Sequence, residues 1–110
     1  MAKYKIIIEY DGTDFVGWQK QENGPSIQSS VEDAIKKITS ETVNVFGAGR
    51  TDSGVHAKGQ VAHFEISKEM TIDNIRDGIN QYLRPMPIVI LNASKVNNNF
   101  HARFLAKQRI

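Results

Sequence analysis

Twice along this chain the hydrophobic period changes from two to about 3.6 and back, and that repeat limits the fold more than any other feature. Tyr4, Ile6, Ile8 and Tyr10 share one side of an extended stretch, with Lys5, Ile7 and Glu9 on the other. Asp11-Gly12-Thr13 closes it with turn chemistry. Pro25-Ser26 then opens a helix whose apolar stripe is Ile27, Val31, Ala34, Ile35 and Ile38. Val43 to Ala48 reads as a second strand, and Gly59 to Ile66 as a third, in which Ala62, Phe64 and Ile66 alternate with Val61, His63 and Glu65. Thr71 is placed as the N-cap of a second helix with the stripe Ile72, Ile75, Ile79, Tyr82 and Leu83. Gly78 weakens that helix slightly, Pro85 and Pro87 end it, and Ile88 to Ala93 gives a fourth strand.

The order βαββαβ predicts an α+β fold of the ferredoxin-like kind, an antiparallel sheet with two helices on one face. At 110 residues the chain makes one domain with a modest core. Residues 1–96 hold the whole pattern. Residues 97–110 read as a linker and the start of a further strand, since Phe100, Ala102, Phe104 and Ala106 again alternate with His101, Arg103, Leu105 and Lys107. That last pattern fits either a docking segment or a strand cut short.

The chain has no cysteine, so disulfides and thiolate chemistry are excluded. No apolar run approaches the roughly 20 residues of a membrane span, and the N-terminus goes directly into a strand pattern instead of a signal peptide, so a cytoplasmic protein is expected. Charge is unevenly spread: beyond Asp77 come Arg84, Lys95, Arg103, Lys107 and Arg109 without a single carboxylate. A basic end suits a polyanion and equally suits a solvated tail.

The segment from Gly47 to Ala57, Gly-Ala-Gly-Arg-Thr-Asp-Ser-Gly-Val-His-Ala, concentrates the chemistry. In an extended segment Arg50 and Asp52 point to the same side. A neighbouring guanidinium favours an ionised carboxylate, the form that a nucleophile or base needs. The glycines permit close approach of a partner. Three familiar patterns can be tested here. A dinucleotide fingerprint fails because its third glycine position is Asp52, and a P-loop fails because Val55-His56 follow Gly54 where Lys and Ser or Thr are needed. Asp52-Ser53-Gly54 resembles an aspartic-protease triplet, but Arg50 would disturb the shared proton of a carboxylate pair. Without further information, Asp52 could equally cap a turn and pair with Arg50.

The whole string resembles the active-site motif of the tRNA pseudouridine synthase A family. The likeness extends to Tyr10-Asp11-Gly12-Thr13 with Phe15, to Gly17-Trp18-Gln19 and Gln21, to Gly59-Gln60-Val61-Ala62-His63-Phe64, and to Phe100-His101-Ala102-Arg103-Phe104. The resemblance implies an isomerase that converts uridine to pseudouridine in the anticodon stem-loop of tRNA. It makes Asp52 the catalytic aspartate, held and polarised by Arg50, acting on a base taken out of the stack. Asp52 would attack the ribose carbon or remove a ribose proton. Neither cofactor nor metal is implied, and His56, His63 and His101 lack zinc-site spacing.

Thr51, Gly54, His56, Trp18, Gln19, Lys20, His101 and Arg103 are candidate RNA contacts, each with a plainer reading. Trp18 could cover the sheet edge, and His101 and Arg103 could serve the edge of a strand. His63 reads as a packing residue, and Gln28 and Gln60 carry no assigned role. Family members are more than twice this length, are built from two similar halves, and work as homodimers. They carry an active-site tyrosine shortly after the Phe-His-Ala-Arg-Phe block that no residue here matches. The chain thus resembles an N-terminal half, expected to have little activity alone. The competing class is a non-catalytic RNA-binding module on the same sheet, which would need a run of exposed aromatics on its central strands.

Overall fold

A computed structural model of the chain describes residues 2–11, 26–47 and 57–97. They form β1 (Ala2–Tyr10), α1 (Ile27–Thr39), β2 (Phe46–Gly47), β3 (Ala57–Ile66), α2 (Ile72–Leu83) and β4 (Ile88–Val96). The strands make one antiparallel sheet in the order β2-β3-β1-β4. Each helix therefore connects two parallel strands that have a third strand between them, the ferredoxin-like α+β arrangement that the periodicity predicts.

Alternation along β1 sets the core. Ala2, Tyr4 and Ile6 pair with Ile66, Phe64 and Ala62 of β3, so their side chains share one face of the sheet. That face is buried beneath Ile27, Val31, Ala34 and Ile35 of α1 and Ile75, Ile79 and Leu83 of α2. Tyr4 and Phe64 stack with ring centroids 5.9 Å apart. The buried Tyr4 hydroxyl donates to the Met70 carbonyl at 2.7 Å and accepts from the Met70 N–H at 3.0 Å, so the phenol ties the core to the turn before α2.

Both helices begin on side-chain caps. Ser26 Oγ accepts from the Ser29 N–H at 3.1 Å while Ser29 Oγ accepts from the Ser26 N–H at 3.3 Å, and Thr71 Oγ1 accepts from the Asn74 N–H at 3.2 Å. The stripe of α2 is narrower than its spacing predicts. Ile75, Ile79 and Leu83 are buried, but Ile72 and Tyr82 stand 45 % and 42 % exposed at its margins. Lys37 of α1 lies over the Tyr82 ring, 5.6 Å from its centroid. Gly78 has a purpose beyond its weak propensity, because a Cβ there would sit 3.2 Å from Ile38 Cγ2.

The second strand begins later than Val43. Among the described residues Phe46 and Gly47 join the ladder, opposite His63 and Ala62, while residues 43–45 stay out of it and Ala48 lies outside the described residues. The reason is competition for the Val45 peptide, whose N–H and carbonyl are both taken by side chains of α1. No helix among the described residues is long and apolar enough to cross a membrane.

Candidate active-site stems

Asp52, Arg50, Thr51, Gly54 and His56, with Trp18, Gln19, Lys20, His101 and Arg103, lie outside the described residues. What the fold does fix is where the strands deliver the segments that carry them. Ala57 opens β3 and pairs with Tyr10, the last residue of β1, and Tyr10 also pairs with Ile88, the first residue of β4. The Asp11 N–H donates to the Pro87 carbonyl at 3.0 Å and fastens the end of β1 to the turn before β4. The segment bearing Trp18, Gln19 and Lys20 therefore leaves the sheet at the same end where the segment bearing Asp52 re-enters it. β4 finishes with Val96 opposite Lys3. The segment bearing His101 and Arg103 thus departs from the other end.

The two stems of the Asp52 segment differ in anchorage. The Ala57 stem belongs to β3, a ten-residue strand paired to β1 along most of its length. The Gly47 stem belongs to β2, described at Phe46 and Gly47, beside β3 in the described sheet. Immediately before it, Glu32 Oε2 accepts from the Val45 N–H at 2.9 Å, and Gln28 Nε2 donates to the Val45 carbonyl at 3.0 Å. Residues four apart lie on one helix face, so a single turn of α1 grips both polar groups of one peptide residue.

Sequence reasoning left Gln28 without a role and did not single out Glu32. One signal was available: Glu32 directly follows Val31 of the apolar stripe and lies four residues after Gln28; in the fold it is only 8 % exposed. Carboxylates are rarely buried unless hydrogen-bonded.

On the sheet face away from the helices, Phe46 and His63 stack with centroids 5.2 Å apart, His63 buried and Phe46 47 % exposed. Phe64 points the other way, into the core. The Lys3 ammonium, nearly buried on that face, lies 3.4 Å from Glu65 across the β1–β3 pair. Beyond Phe46, a polar groove of about 300 Å³ runs between Thr42, Asn44, His63 and Glu65. Glu41 at its margin accepts from the Ser67 N–H at 2.9 Å, the Ser67 hydroxyl at 2.8 Å and the Lys68 N–H at 3.3 Å. Those bonds, led by the Ser67 N–H, hold its carboxyl below the ordinary value of 4.5. Among the described residues no group of three or more His, Asp or Glu side chains is gathered that could hold a metal ion.

A family model described as tRNA pseudouridine synthase matches residues 6–105, nearly all of β1 through β4 and the glycine-rich segment between β2 and β3. The chain belongs to the tRNA pseudouridine synthase family. Among curated members of that family, the tRNA pseudouridine synthase A of Maricaulis maris is 51% identical over 109 residues. Those of Afipia carboxidovorans and Rhodopseudomonas palustris (strain BisA53) are 52% and 54% identical over the same length. Each alignment covers 99% of this chain and 44% of the relative. The chain thus spans under half the length of the curated relatives it matches.

Proposed function

We propose that the full-length protein isomerises uridine to pseudouridine in tRNA, and that this chain supplies its catalytic-aspartate half, with Asp52 acting on the ribose and Arg50 beside it. The observation that carries this reading is the family match across residues 6–105, which includes every position of the Arg50–Asp52 segment. The stems add support, since the segment joins two neighbouring strands and enters β3 at the end of the sheet where the Trp18–Lys20 segment also departs.

The chemistry balances within the substrate. The bond from ribose C1′ to uracil N1 breaks, the uracil turns, a bond from C1′ to C5 forms, and C5 loses a proton while N1 gains one. No oxidant or group donor is consumed. What the protein must supply is a carboxylate at the ribose, acting as nucleophile or as base, and a site that keeps the detached uracil from leaving. Thr51, Gly54, His56, Trp18, Gln19, Lys20, His101 and Arg103 are the proposed RNA contacts. The anticodon stem-loop is the proposed target, a homodimer the proposed assembly, and the cytoplasm the proposed compartment. Residues 1–96 are the proposed folded unit, with 97–110 leading into the next strand.

The test uses tRNA labelled with tritium at uridine C5. In the full-length protein, Asp52→Asn abolishes tritium release while tRNA binding stays largely intact. Unchanged release in that variant removes Asp52 from the mechanism. A purely RNA-binding module is less well supported, because Phe64 faces the helices and, among the described residues, only the Phe46–His63 pair stacks on the other face of the sheet.

A further inference from the structure

We infer that Glu32 and Gln28 are positioning residues for the reaction, acting through the Val45 peptide to fix the strand that leads into the Asp52 segment. This rests on the reading of Asp52 as the catalytic aspartate.

Residues 43–45, which lead into β2, take no part in the sheet ladder: Val45 lies just ahead of Phe46, the first residue of β2 paired with β3, whereas Ile90 lies inside the ladder between β4 and β1. A residue outside the ladder has no inter-strand bonds to define its position along or across the sheet. Val45 lies two residues before Gly47 and is itself fully buried, so its N–H and carbonyl require partners. They find them in Glu32 and Gln28, on a helix whose own position is set by Ile27, Val31 and Ile35 in the core. A carboxylate is a costly group to bury on an apolar stripe, and an aliphatic residue at position 32 would suit core packing better. Its use here places a strong acceptor against one chosen amide.

Among the described residues the same device is found on α2, which supplies a control. Asn80 of α2 grips both backbone groups of Ile90 in β4. Ile90 has the β4 ladder to keep it in place when Asn80 is lost; Val45, just outside the ladder of β2, does not. If the clamp positions the catalytic segment, loss of Glu32 should reduce turnover out of proportion to its effect on stability, and loss of Asn80 should not.

The experiment compares Glu32→Ala, Glu32→Gln, Gln28→Ala and Asn80→Ala in the full-length protein. The readouts are kcat and KM for tritium release from tRNA at a temperature where each variant is folded, and amide hydrogen exchange at Val45. Glu32→Ala is expected to lower kcat about tenfold or more, as small displacements of reacting groups do, with KM within about twofold. Glu32→Gln, whose amide oxygen can still accept from Val45, should retain more turnover than Glu32→Ala, and Gln28→Ala should fall between wild type and Glu32→Ala. Exchange at Val45 should accelerate in Glu32→Ala and not in Asn80→Ala. Equal kcat losses in Glu32→Ala and Asn80→Ala would reduce the clamp to a structural role and overturn the inference, as would wild-type kcat in a folded Glu32→Ala. Should Glu32→Ala fail to fold, wild-type kcat in Gln28→Ala overturns it instead. A wild-type protein without tritium release refutes the functional reading on its own. The exchange measurement then still judges the clamp, and unchanged Val45 exchange in Glu32→Ala refutes that separately.

Discussion

Asn80 holds both polar backbone groups of Ile90: its Nδ2 donates to the carbonyl at 3.0 Å and its Oδ1 accepts from the N–H at 2.7 Å. Ile90 sits opposite Ile8 on β4, an edge strand of the sheet, so these bonds fasten α2 to the sheet edge. Asn80→Ala removes two hydrogen bonds and is expected to destabilise the protein by about 1–3 kcal/mol. Chemical denaturation checks this, and a loss below the error of the method would mean that water replaces the amide without cost.

Helix packing gives a second prediction at Gly78. Alanine there gains up to about 1 kcal/mol of helix propensity, against a Cβ that must press Ile38 aside by a few tenths of an ångström from 3.2 Å. Gly78→Ala should therefore be close to neutral. Gly78→Leu should cost about 1–3 kcal/mol by overpacking the α1–α2 contact. Denaturation midpoints that rank leucine above glycine would contradict the close approach of the two helices.

Acid sensitivity follows from Glu41. Its folded-state pKa is below the ordinary 4.5, chiefly because of the Ser67 N–H and then the Ser67 hydroxyl. A lowered carboxyl pKa contributes stability that is present above 4.5 and lost as pH falls through the folded value. Glu69, lowered by Lys95, acts in the same direction, while the raised pKa of Lys95 gives a contribution lost only as pH climbs above 10.5. Glu41→Gln should flatten the decline of stability below pH 4.5 and leave the neutral-to-alkaline limb unaltered. Stability profiles measured from acid to alkaline pH distinguish the two limbs.

Activity of the isolated chain gives the last prediction. Residues 1–110 alone should release little or no tritium from C5-labelled tRNA, because a flipped base needs walls on both sides and the chain spans 44% of its relatives' length. Release at a rate comparable to the full-length protein would show that one half suffices.

Most of the scaffold was legible because it is written in local periodicity. Alternation fixed the buried face of β1, and the stripe from Ile27 to Ile35 fixed the buried face of α1. The caps at Ser26 and Thr71 have side chains whose chemistry favours that position wherever it occurs. The late start of β2 was not legible. Residues 43–48 have a strand-like composition, and nothing local reveals that side chains 13 and 17 residues upstream take the Val45 amide and carbonyl. Gly78 was read through propensity alone, since the position of Ile38 on the neighbouring helix is a tertiary fact. Of the candidate site, the motif was readable as a string, whereas the shared exit of two segments beside Tyr10 emerged only from strand register.

The paired grips on Val45 and Ile90 also bear on how copies of this chain meet one another. An uncovered sheet edge recruits foreign strands through successive free amides and carbonyls. Here one helix occupies the polar groups of Val45 beside β2, and the other occupies those of Ile90 in β4. A visiting strand that slides along either margin finds its run of bonding partners interrupted at those points. Side chains turned inward from the helices thereby discourage sheet-to-sheet aggregation.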